Sequence, residues 1–313
     1  MSEKISTLKF CVVSAIGVSL KSAFWLLKFM IPITLLVAIL NYLGVVAYVS
    51  QFVEPIFSYA GLDGRGVFVF ITAIFASIYS SIAVMATLGI DFRMAVILAS
   101  MTLIAHNLIV ESTIQKKTGS SFLGVIVLRI LAAFSTGVVL NYIMPADLTG
   151  NLILNVASAT PTSWGMMFID WLKSMSVLTL QVVVFVTILN IIQNILREFK
   201  VLDLLTEPLH PLMKLMGLPY STTFLWLVAN TLGLAYGGAV MISEVAKGEI
   251  DRSDVKLLNT SIACTHSLIE DTLLYFTIGI PLFLIFVPRI VCSIIVVWGE
   301  RGVRYIMKKK AFA

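Results

Sequence analysis

Charge is scarce in this chain. Only 12% of its 313 residues are Asp, Glu, Lys or Arg, 59% are hydrophobic, and the mean hydropathy is +0.99. A soluble domain devotes about a quarter of its residues to charge, so this composition excludes one and points to a chain solvated by lipid. Long polar segments are missing too: the longest connections, 145–164 and 197–220, leave no room for a soluble domain. Cysteine is limited to Cys11, Cys264 and Cys292, too few and too scattered for a disulfide framework or a paired CxxC metal knuckle. No Walker loop, HExxH or GxSxG occurs, which removes support for ATP-driven transport and standard hydrolase chemistry. The expectation is a protein that is not an enzyme and has no cofactor. Period-2 alternation is absent as well, against a barrel. The net charge of +5 does not indicate a nucleic acid polymer as partner, because the basic residues flank the apolar runs as membrane topology requires.

What the chain has in abundance is apolar runs, at 24–48, 66–90, 94–110, 121–144, 166–196, 221–246, 257–278 and 280–298. Each is long enough, or nearly so, for a helix to cross a hydrocarbon core of about 30 Å. The basic, half-apolar segment 1–23 lacks a small-residue cleavage site and reads as a retained interfacial helix. Two halves then correspond. VEPIFSYAGL (53–62) has a counterpart in TEPLHPLMKLMGL (206–218), each a short interfacial helix with Pro near its start and Gly past its end. SIYSSIAVM (77–85) matches LAYGGAVM (234–241), pairing Tyr79 with Tyr236 and Ser80 and Ser81 with Gly237 and Gly238. AHNLIVES (105–112) matches THSLIEDT (265–272), and Arg129 matches Arg289 at the same offset of 160 as His106 to His266 and Glu111 to Asp271. The organisation is an N-terminal segment 1–23, repeat 1 at 24–144, an external linker at 145–165, repeat 2 at 166–300 and a basic cytoplasmic tail at 301–313.

Whether 66–90 and 221–246 cross or turn back decides the topology. If they are re-entrant hairpins and the N-terminus is cytoplasmic, sixteen of the 22 Lys and Arg residues fall inside, and only Arg65 and Arg93 fall outside. Full crossings would export Lys116, Lys117, Arg197, Lys200 and Lys214, against the positive-inside rule. The small residues at Tyr79-Ser80-Ser81 and Tyr236-Gly237-Gly238 mark where each run is interrupted. Amides freed at such a break must face protein, water or a ligand; the alternative is that Ser and Gly serve close packing of continuous helices. The predicted fold is an all-α membrane protein, an inverted repeat of six transmembrane helices plus two re-entrant hairpins and interfacial helices. Its predicted place is a bacterial-type inner membrane, with both termini cytoplasmic.

An interfacial Glu-Pro helix, a Gly/Ser-interrupted hairpin, a polar-centred helix and a further span, all duplicated over about 24–300, resemble the gate or nucleoside-recognition family. That family is similar in architecture to concentrative nucleoside transporters and to the membrane part of ferrous-iron transport proteins. The hairpin tips here lack the Gln/Glu-Thr and Pro signature of a nucleoside site, and the chain has no GTPase domain or Cys-Pro gate motif, so the substrate does not carry over.

Polar residues inside the apolar runs are the candidates for function. The midpoint of Glu111 and Arg129 falls at Thr118-Gly119-Ser120, and that of Asp271 and Arg289 at Gly279-Ile280-Pro281. Folding each helical pair there brings acid and arginine to equal depth, so ion pairs Glu111–Arg129 and Asp271–Arg289 are expected, with ligand contact as the alternative role. Glu270 is the charge that the duplication leaves over, because Val110 stands in its place in the first half. Its functional reading is a coupling site for Na+ or H+ with His266 four residues earlier; its structural reading is a neutral acid in a packed interface. Cys264, His266, Glu270 and Asp271 are the candidate metal ligands. Substrate-binding candidates are Tyr79, Ser80, Ser81, His106, Asn107, Glu111, Asn230, Tyr236, Gly237, Gly238, His266, Glu270 and Asp271. Asn41 and Asn190 read as interhelical contacts, and Trp25, Trp164, Trp171 and Trp298 as an interfacial belt. The expected function is a secondary-transporter-like or channel-like permease for a small polar solute or ion, in contact with lipid and able to form a homo-oligomer. Alternatives are a divalent metal (iron-like) permease and a non-transporting scaffold or regulatory protein.

The charge bias generates a topology test. Cysteines introduced at Ser120 and Asp254 should label from the cytoplasm, and one at Asn151 from the opposite side; labelling of position 120 from outside removes the hairpin arrangement.

Overall fold

The computed structural model describes residues 2–153, 163–248 and 250–311, and every regular element among them is helical. The first half runs α1 (Ser2–Tyr42), α2 (Val45–Phe57), α3 (Gly66–Phe75), α4 (Ile78–Thr87), α5 (Phe92–Ala105), α6 (Leu108–Lys117) and α7 (Phe122–Ile143). The second runs α8 (Trp164–Glu198), α9 (Val201–Thr206), α10 (His210–Leu215), α11 (Thr223–Thr231), α12 (Gly233–Lys247), α13 (Arg252–Thr265), α14 (Leu268–Thr277) and α15 (Leu282–Ala311). The correspondence is element by element: α1 with α8, α2 with α9–α10, α3–α4 with α11–α12, α5–α6 with α13–α14, and α7 with α15. Part of the 145–165 linker, 154–162, lies outside the described residues.

Both apolar runs that charge assigned to hairpins do fold back. Arg65, just ahead of α3, donates from Nη1 to the Leu88 carbonyl at the end of α4, at 3.0 Å; a continuous helix would hold these residues about 35 Å apart. In the second half a Cβ on Gly237 would lie 2.9 Å from Ala229 Cα, residues that a continuous helix separates by about 12 Å. With both runs folded back, each half is left with three further long helical segments, the odd number that an inverted repeat would require.

The interruptions fall earlier than the small residues suggested. In the first hairpin the chain breaks at Ala76 and Ser77, and the Ser77 hydroxyl accepts from the Ser80 amide, capping α4. In the second, the break is at Leu232 and Gly233, with Gly233 at φ +71°. Tyr79, Ser80 and Ser81 thus belong to the first turn of α4 rather than to the break. Gly237 and Gly238 lie inside α12 and serve close approach: Gly237 against the Ala229 backbone, Gly238 against Ile114. The turns expected at 118–120 and 279–281 are present, with Gly119 at φ +104° and Gly279 at φ +97°.

Among the described residues, five segments are long and apolar enough to cross a membrane: Ser6–Tyr42, Phe92–Lys117, Phe122–Ile143, Trp164–Glu198 and Leu282–Met307. The sixth expected crossing, 257–278, is α13–α14; it is the counterpart of α5–α6 and carries Asn259, His266, Glu270 and Asp271. The expected interfacial segment 1–23 is helical from Ser2 and runs without a break, as part of α1, into the first span. Nothing at residue 23 stops a helix, and the proline of this segment, Pro32, lies further on, inside α1.

Burial separates an inner from an outer layer. Every residue of α5 from Met94 to Ala105 is buried, and α13 is buried from Leu257 to Ser261 except at Thr260, which the edge leaves half-open. By contrast α1, α7, α8 and α15 expose Phe24, Leu131, Leu180 and Ile295, the surface expected where lipid is the solvent. α1 packs along its equivalent α8. The two broken helices thus sit at the centre, with the hairpins against them.

The close approach in the second hairpin is testable. Gly237→Ala should cost about 1–3 kcal/mol through overpacking, whereas Gly302→Ala, on α15 with open space around it, should be neutral or stabilising by up to about 1 kcal/mol. Thermal unfolding in detergent compares them, and equal effects would contradict the folded-back geometry.

Candidate functional site

Helices α5 and α13 both stop at a histidine, and the next residue adopts a left-handed backbone: Asn107 at φ 46° and Ser267 at φ 51°. Asn tolerates this conformation better than most residues, Ser less well. The position is held by hydrogen bonds to the hairpins, from the Asn107 amide to the Ala73 carbonyl at 2.9 Å and from the Ser267 amide to the Ala229 carbonyl at 3.0 Å. The carbonyls freed at the ends of α5 and α13 are taken by arginine. Arg129 donates from Nε to Ile104 and from Nη2 to His106, both at 2.7 Å. Arg289 repeats the pattern with Cys264, at 3.0 Å, and with the His266 carbonyl. Both arginines are fully buried.

The two breaks bring residues of both halves together. The rings of His106 and His266 lie 4.8 Å apart, and each Nδ1 sits on the carbonyl four residues earlier, Thr102 at 3.1 Å and Ile262 at 2.9 Å. Glu111 meets Arg129 Nη2 at 2.7 Å, as the expected ion pair requires, and also His266 Nε2 at 2.9 Å and His106 Nε2 at 3.5 Å. The expected Asp271–Arg289 pair is absent within 4 Å among the described residues: Asp271 faces His106 Nε2 at 3.1 Å instead. The two arginines are held differently. Arg129 reaches across to His266 Nε2 at 3.0 Å, and Arg289 has no such contact with His106.

Beside this cluster lies a cavity of about 610 Å³, bounded by both hairpin tips, both helix breaks and the facing sides of α1 and α8. Of the sequence candidates, Tyr79, His106, Asn107, Glu111, Glu270 and Asp271 line it. Glu270 leans over the second hairpin tip, where a Cβ on Gly233 would come within 3.0 Å of its Oε2, and it accepts from Gln193 Nε2 at 3.3 Å. His266 stands behind, reaching the cavity lining through Glu111. Ser80, Ser81, Asn230, Gly237 and Gly238 are not in the lining. Asn230 instead donates to the Trp226 carbonyl at 2.7 Å, and the Tyr236 side chain lies outside the described residues. Residues missed from sequence are Lys21, Ser22, Ser77, Gln193 and Ser267, together with Trp25 and Asn190, which had been given other roles. The polar pair Asn190 and Gln193, three apart in an apolar helix, was the available signal.

The predicted metal set does not assemble. Cys264 turns to Cys292 on α15, with the sulfurs 3.6 Å apart, and Glu270 turns to Gln193. The nearest grouping of donor atoms is His106, Glu111 and His266, within 4.8 Å of one another, but the Arg129 guanidinium already stands against two of them. A cation there would have to displace a fixed positive charge.

Comparison with known proteins agrees with this frame. Residues 23–150 match the family described as Gate, nucleoside recognition. The chain is 29% identical over 270 residues to an uncharacterized membrane protein, YvoD, of Bacillus subtilis (strain 168), covering 86% of each chain. No solved structure matches.

The asymmetry predicts unequal coupling. Arg129→Ala should cost about 3–5 kcal/mol by leaving Glu111 unpaired, and a double-mutant cycle with Glu111→Ala should return about 1–3 kcal/mol of it. The Asp271/Arg289 cycle should return less than about 0.5 kcal/mol. Equal cycles from thermal denaturation would contradict the one-sided pairing.

Proposed function

We propose that this Gate-domain membrane protein is a transporter-like permease in which a small polar solute or ion occupies the cavity between the hairpin tips and the helix breaks. The observation that carries the reading is the lining of that cavity. All four interrupted elements contribute to it, and the acid unmatched by the duplication, Glu270, faces into it beside Gln193 and Asn190. Discontinuous helices offer backbone dipoles and open polar groups at mid-depth, which is what solute binding inside a membrane needs. Exposed Lys21 and Trp25 and buried Glu111 and Asp271 all line it, so charged groups run from the surface to the buried side. The arginines and their counter-charges satisfy the broken helices, but a pure scaffold has no use for a further acid, Glu270, at such depth, where each ion costs about 2.5–3.5 kcal/mol even on mild insertion scales. A divalent-metal permease is disfavoured by the guanidinium at the centre and by the turning away of Cys264. We place the protein in an inner membrane with cytoplasmic termini, on the charge bias alone.

In a background without native cysteines, Gln193→Cys should react with a charged, membrane-impermeant thiol reagent, while Ile295→Cys on the lipid-facing side of α15 should not. In proteoliposomes screened with radiolabelled polar solutes, Glu270→Gln should keep its thermal stability but lose at least about tenfold in uptake rate. An unreactive position 193, or unchanged uptake in Glu270→Gln, would overturn the reading.

A further inference from the structure

The two histidines occupy equivalent positions but have different surroundings. His266, although Glu111 Oε2 lies 2.9 Å from its Nε2, can as a neutral ring accept there from Arg129 Nη2 at 3.0 Å while its Nδ1–H donates to the Ile262 carbonyl. His106 cannot. Its Nδ1 faces the Thr102 carbonyl at 3.1 Å, and its Nε2 faces only acceptors, Asp271 Oδ2 at 3.1 Å and Glu111 Oε1 at 3.5 Å. A neutral imidazole has one N–H and one bare lone pair, so one of these nitrogens would press a lone pair against an oxygen.

The charges around the ring lead to the same place independently. Glu111 comes from α6, Asp271 and Glu270 from α14, Arg129 from α7, Arg289 from α15 and the neutral His266 from α13. Glu111 is paired with Arg129, and among the described residues Asp271 has no charged partner within 4 Å except the His106 ring, so its counter-charge has to come from there. Uncompensated charge is costly at this depth. A sodium ion is a poor candidate, since Arg129 Nη2 already stands 2.7 Å from Glu111 Oε2. A proton needs no room.

We propose, building on the permease reading, that the ion coupled to transport is a proton and that its binding site is His106 Nε2, between Asp271 and Glu111. The proton enters from cavity water at Glu270, which lines the cavity and precedes Asp271 on α14. It leaves a hydronium ion and ends as an N–H bond on His106; no other bond changes.

The chain has three histidines, so nitrogen-15 labelling of histidine gives a spectrum that single variants assign. In the full chain in detergent micelles at neutral pH, one ring should carry hydrogen on both nitrogens, and this ring should vanish in His106→Asn. Asp271→Asn should convert it to a ring with one N–H, while His266 keeps a bare Nε2 in the wild type. A bare Nε2 on His106 in the wild type, or a doubly protonated ring that survives in Asp271→Asn, overturns the proposal. Should Asp271→Asn fail to fold, the wild type against His106→Asn decides alone. The measurement uses no transport: failure of uptake with His106 doubly protonated would sink the permease reading and leave the proton site standing, and a bare Nε2 would do the reverse.

Discussion

A backbone amide or carbonyl freed inside a membrane has to find a partner in the protein, because lipid offers none. The centre of this molecule follows from that constraint. Each broken helix gives up hydrogen bonds at its histidine; the amide after the break is taken by a hairpin carbonyl, and the carbonyls before it by an arginine. The hairpins are held at the centre by the same bonds that make the breaks tolerable. Carboxylates then follow, since a buried guanidinium asks for a counter-charge. Much of what looks like a reactive cluster in the sequence is first of all the means by which two interrupted helices stay satisfied.

This order of causes explains what was legible in the sequence. The turns at Gly119 and Gly279 were, because acid and arginine straddle them at the common offset of 160 that also relates the two histidines. The hairpins were legible through charge rather than pattern. The site of each break was not: Ser80, Ser81, Gly237 and Gly238 are the conspicuous small residues, but a single capping hydroxyl at Ser77 and a single left-handed Gly233 decide where the helix stops. Nor was the wall formed by α1 and α8, whose contribution shows only as isolated polar residues such as Gln193 in otherwise apolar helices.

The failure of the second ion pair has a different origin. Sequence symmetry assigns Asp271 to Arg289 as surely as Glu111 to Arg129, but two related sets of side chains that converge on one point cannot both occupy it. Arg129 takes the crossing and reaches His266; Arg289 remains on its own helix end, bonded to the Cys264 and His266 carbonyls. A near-symmetric chain therefore holds an asymmetric centre, and the two histidines acquire different partners from equivalent positions.

The lengths of α1 and α8 carry a further consequence. At 41 and 35 residues they extend about 60 and 50 Å, well beyond a hydrocarbon layer of about 30 Å, so they must tilt or stand proud of it. Hydrophobic mismatch of this kind is relieved by changing tilt, at a fraction of a kcal/mol per Å. Because these same two helices form one wall of the cavity, bilayer thickness acts on the width of the cavity, and the surrounding lipid becomes a determinant of its shape.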